Sequence, residues 1–128
     1  MRRLLFALAL FSSSAATAQS AGLTVADVLA KADALQKKGM LAIFSSDLRL
    51  IRAEANRDLQ AFGMDYFTAR QVHRPLPACP PKDGPDKLKI TVDTDELLKF
   101  YRTIPPQQRG MSSRQAFAEF MKVKFPCR

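Results

Sequence analysis

The chain has few of the residues that carry chemistry. In 128 residues it holds one histidine, His73, and two cysteines, Cys79 and Cys127. The cysteines are far apart in sequence, so the close CxxC spacing of a redox pair is missing. No histidine, cysteine or carboxylate cluster has metal-ligand spacing, and no glycine-rich phosphate loop exists. Neither a metal nor another cofactor is therefore expected. Serines stand at 45, 46, 112 and 113 without a base partner that sequence can identify, and all four fit helix starts. Asp93, Asp95 and Glu96 form an acidic cluster of the kind that opens a helix. These shortages argue against an enzyme. Charge is scattered, with no block of five like charges, and no internal repeat is visible.

No apolar stretch reaches the roughly 20 residues that a membrane span needs. The longest, Leu4 to Phe11, follows Arg2-Arg3 and precedes Ala16-Thr17-Ala18. That order reads as a secretory signal at residues 1–18, cut after Ala18, with residues 19–128 as one domain. A transmembrane anchor is the weaker reading of the same segment. No cysteine follows the apolar run to carry a lipid. Of the 20 Lys and Arg, two lie in the leader, which leaves 18 against 12 Asp and Glu, a net of +6. An exported protein is not expected to meet nucleic acid. Its basic excess would suit an acidic partner or the anionic cell envelope.

Export places the two cysteines in an oxidising compartment, where they allow one connectivity, Cys79 to Cys127. Two free thiols are the rival reading. A small domain is only marginally stable from its core alone, so a covalent staple is useful.

The pattern along the chain is helical. Gln19 to Leu23 reads as a loose end. Thr24 with Asp27 has weak capping-box spacing, and Val25, Val28, Leu29, Ala32 and Leu35 follow at helical steps until Gly39. Met40 to Phe44 is apolar, either a linker on the core or the first turn of the next helix. Ser45-Ser46-Asp47 then starts a second helix. Its stripe of Leu48, Ile51, Ala55, Leu59, Phe62, Tyr66 and Ala69 runs past Gly63. This predicts one long helix over about 46–70; the alternative stops at Gly63. Prolines 75, 77, 80, 81 and 85 deny the next segment regular hydrogen bonding. Leu88 to Val92 reads at most as one short extended piece. Asp93 with Glu96, and Ser112 with Gln115, cap two further helices, separated by Pro105-Pro106 and a polar turn to Met111. The expected fold is all-α: a four-helix, bundle-like domain with one disulfide.

The C-terminal half supplies a resemblance. Cys79-Pro80-Pro81, the capped helix with its aromatic (Asp93, Glu96-Leu97, Tyr101), Pro105, and Phe117 followed by Phe125-Pro126-Cys127-Arg128 resemble the Rap/Tai-type family of periplasmic immunity proteins associated with type VI secretion. The resemblance covers about half of the exported chain. It implies a small helical protein in the periplasm that binds an effector toxin, a peptidoglycan amidase, with a homodimer as one form of assembly. Its contact residues would lie on the proline loop and the later turn: His73, Arg74, Lys82, Asp83, Lys87, Gln107, Gln108 and Arg109. A second reading is a housekeeping binding or chaperone-like module that uses an exposed apolar surface such as Met40 to Phe44. A third, a small hydrolase, requires His73 to meet a serine or carboxylate in a cleft.

Overall fold

Helix α1, Val25–Lys38, begins where its cap chemistry places it. In this computed structural model, which describes residues 22–128, the Thr24 hydroxyl accepts from Asp27 N–H and the Asp27 carboxylate accepts from Thr24 N–H. The expected leader and cleavage point, with residues 19–21, lie outside the described residues. Lys37 and Lys38 occupy the last turn of α1, where the helix dipole favours cations. Gly39 ends it at φ 55°, a backbone conformation glycine adopts without steric cost. Residues Gly39–Phe44 form a 3-10 helix, and α2 spans Ser46–Gln71, capped by the Ser45 hydroxyl. The long-helix reading holds: α2 passes through Gly63 without a break.

Helix α3, Thr94–Thr103, starts at Asp93, whose Oδ1 accepts from the amides of Asp95 and Glu96. Helix α4, Ser113–Lys124, starts at Ser112, whose hydroxyl accepts from Gln115 N–H at 3.2 Å. Among the described residues there are two isolated β-bridges and no strand, so the extended piece at Leu88 to Val92 does not become a sheet.

Helix α1 folds back on α2, which is seen in the Lys31–Asp47 ion pair near the turn and the Leu23 N–H bond to Glu54 at the other end. Helix α4 runs parallel to α2. Glu54 and Asp58 meet Ser113, and one turn on Phe62 meets the edge of Phe117, with ring centroids 6.5 Å apart. Helix α3 packs on α1 and α4 and buries Leu97 and Tyr101. The aromatic stripe of α4 lies at the centre, where Phe117 and Met121 are fully buried. Leu23, expected to be loose, is half-buried and tied by its amide to Glu54.

The core also holds charge. Glu54, Asp58 and Ser113 are buried together. The Ser113 hydroxyl lies 2.9 Å from Glu54 Oε1 and 2.8 Å from Asp58 Oδ2. A hydroxyl has one proton and can donate to one carboxylate only. Only one of the two carboxylates can therefore accept the Ser113 proton at a time, and the other contact is made good when that carboxyl is itself protonated. Burial pushes the Asp58 carboxyl up to about 6, aided by the Glu54 charge and opposed by Ser113, Arg57 and Arg114. Glu54 is paired with Arg57 and accepts from the Leu23 amide. A Cβ at Gly22 would collide with Glu54 Oε1, so the glycine permits this approach. Tyr101, from α3, donates to the Ser113 carbonyl at 3.1 Å.

The unfolded chain releases the Asp58 proton near 3.8, whereas the folded protein holds it to about 6. This contribution to stability is complete below about pH 4 and is lost as pH rises through about 6. A difference of that size is worth about 3 kcal/mol at most. Urea melts should show this decline, and Asp58→Asn should flatten it.

A stapled loop as candidate functional site

The segment after α2 is exposed and irregular, yet fixed at many points. It begins with a left-handed stop. His73 has φ 56°, its amide donates to Arg70 O, and Arg74 N–H reaches back to Ala69 O at 2.8 Å. Glycine is the usual residue at such a position. Ala78 and Pro80 then turn inward and are buried. Between them, Cys79 is bonded to Cys127, with Cα atoms 5.0 Å apart, and the Cys79 amide donates to Phe125 O at 2.8 Å. The predicted pairing is therefore present.

Beyond this anchor the chain makes a small hairpin-like excursion. Lys82 and Leu88 form an antiparallel bridge, Asp83 N–H donates to Lys87 O, and Lys89 N–H donates to Pro81 O, both at 2.8 Å. Gly84 turns the tip at φ 95°. Arg70, in the last turn of α2, donates to Pro85 O at 2.7 Å and braces the tip from the side. On the return, Lys124 of α4 donates to Thr91 O and pairs with Glu96. Residues 81–87 are all exposed.

The predicted contact residues divide into two groups. Lys82, Asp83 and Lys87 stand together on this excursion, with Lys87 and Asp83 in an exposed ion pair at 3.8 Å. His73 and Arg74 lie at its start, on the surface. Gln107, Gln108 and Arg109 are elsewhere. They follow Pro105 at the N-terminal end of α4, whereas the disulfide lies beyond its C-terminal end. Twelve helical residues separate the two places by about 18 Å. Gln107 and Gln108 are exposed in a short 3-10 turn, Pro106–Gln108. The Arg109 guanidinium is occupied structurally, donating to Ile104 O at 2.9 Å and Arg102 O at 3.0 Å. Its carbonyl accepts from Ala26 N–H, which fastens this turn to α1. The Arg102 and Arg114 side chains pair with Asp33 and Asp65.

Among the described residues, no group of three His, Cys, Asp or Glu side chains is placed to hold a metal. Among the described residues, Ser45 accepts from Lys38 at 3.0 Å, and Ser113, which sequence reasoning places at a helix start, meets two carboxylates. Its carboxylate partners are 55 and 59 residues away. A signal for them exists: Glu54 and Asp58 fall at steps of three and four between Ile51 and Phe62, inside the buried stripe. A comparison of the chain with protein-family models, curated proteins and solved structures finds no match.

The disulfide closes a sequence separation of 48 residues. Loop-closure entropy for that length corresponds to about 4 kcal/mol. The Cys79→Ser, Cys127→Ser double variant should unfold at markedly lower urea and be cut by trypsin between Arg74 and Lys87 first. His73→Gly should act in the opposite direction. Relief of the left-handed strain, less the extra entropy of glycine, should raise stability by up to about 1 kcal/mol in the same melts.

Proposed function

We propose that this is an exported, non-enzymatic binding protein of the immunity type, and that its stapled loop enters the cleft of a peptidoglycan amidase toxin in the periplasm. The observation that carries the proposal is the preorganisation of residues 81–89. The segment is solvent-exposed, yet a disulfide, a bridge and an arginine brace hold it. A loop that is already ordered loses less entropy on binding, so more of its contact energy becomes affinity. Its exposed Lys82, Asp83, Asp86, Lys87 and Lys89 supply charged groups of both signs for recognition. The Phe-Pro-Cys ending, which underlies the family resemblance, is the segment that fixes this loop.

The housekeeping binding module remains the second reading. It is favoured by the exposure of Met40, Leu41, Ile43 and Phe44.

Affinity capture from a periplasmic extract tests the proposal. The expected result is recovery of a peptidoglycan amidase. Lys82→Glu with Lys87→Glu should weaken its binding by at least about thirtyfold, the effect of losing a central contact. Calorimetry on the recovered pair measures this. If no envelope hydrolase is recovered, or if the double variant binds it unchanged, the proposal fails.

A further inference from the structure

The other end of α2 has a different character. Where α1 turns into α2, the 3-10 helix Gly39–Phe44 contributes no buried residue. Met40 is 92% exposed, Leu41 71%, Ile43 70% and Phe44 81%. A 3-10 helix turns every three residues, so neighbours 40 and 41, and 43 and 44, project on different sides. The result is a convex apolar knob. An amphipathic helix fitted to a protein groove would instead offer one apolar face. Leu50, one turn into α2, extends the apolar surface.

The charges around the knob are of one sign in effect. Lys37 and Lys38 end α1, and Arg49 and Arg52 lie in the first two turns of α2. Lys37, Arg49 and Arg52 have no carboxylate within 4.0 Å among the described residues. The nearby acids are engaged: Asp47 by Lys31 and Lys38, and Asp33 by Arg102. An apolar tip within a collar of uncompensated cations is complementary to an anionic lipid surface. The side chains enter the acyl boundary while the cations meet headgroup phosphates.

We infer that Met40, Leu41, Ile43 and Phe44 form a membrane-docking tip for an anionic phospholipid bilayer. The 26 residues of α2 place the stapled loop about 40 Å from this tip. Docking would therefore leave the loop facing away from the lipid. The inference does not depend on what the loop binds.

Residues 19–128, which contain every contact described, should be tested for co-sedimentation with vesicles. Phosphatidylglycerol-containing vesicles should retain the protein, and pure phosphatidylcholine vesicles should retain much less. Ile43→Ser with Phe44→Ser should lower partitioning at least tenfold, and each of Lys37→Ala and Arg49→Ala by about fivefold. These side chains lie outside the core, and unchanged urea melts would show that the variants fold. Lys82→Glu with Lys87→Glu should leave partitioning unchanged, which separates this test from that of the loop. Three results would overturn the inference: no retention by anionic vesicles, equal retention of the serine variant, or concentration-dependent self-association that the serine variant abolishes without any lipid binding. The last would make the tip a homodimer contact.

Discussion

The arrangement depends on the unbroken hydrogen-bond ladder of α2. Gly63 in its interior costs about 1 kcal/mol relative to alanine, yet the helix continues because both sides of that position are packed. Phe62 lies against Phe117, and Tyr66 is buried three residues beyond Gly63. Helices α1 and α4 both lie along α2, one antiparallel and one parallel. Continuity of this one helix therefore sets the distance between the apolar tip and the stapled loop. It also puts the C-terminal ends of α2 and α4 side by side, where Arg70 and Cys127 can both reach the loop.

A second constraint fixes how α4 lies along α2. An apolar stripe alone tolerates sliding by a turn, because one methyl group packs much like another. The Ser113 hydroxyl between Glu54 and Asp58 does not, since a shift of one turn would leave the buried Asp58 carboxyl without its hydrogen-bond partner. Polar groups in a core contribute little net stability, but they can select one register. Here the same node also holds the chain before α1, through the Leu23 amide.

The helices were legible because their ends are marked locally. Thr24, Ser45, Asp93 and Ser112 are all caps, and Gly39 is a terminator. The disulfide was legible by count, once export made oxidation the expectation. The candidate site was legible in part. Lys82, Asp83 and Lys87 do share one exposed excursion, but sequence placed Arg109 beside them in role when its guanidinium binds backbone carbonyls. A side chain's partners across a turn leave no periodic trace. For the same reason Ser113 reads as a helix-start residue: its acids come from a different helix, and only tertiary packing brings them to it.

The burial of Tyr101 makes it an internal optical reporter. The chain has no tryptophan and two tyrosines, both buried, so near-ultraviolet absorption arises largely from rings inside the core. Burial, with the Asp58 and Glu54 charges adding to it, pushes the Tyr101 phenol well above the usual tyrosine range. Its hydroxyl is also committed to the Ser113 carbonyl. Phenolate formed at Tyr101 in alkali therefore marks α3 parting from α4, and in a chain with one other tyrosine, Tyr66 of α2, it gives the protein its own spectroscopic gauge of that separation.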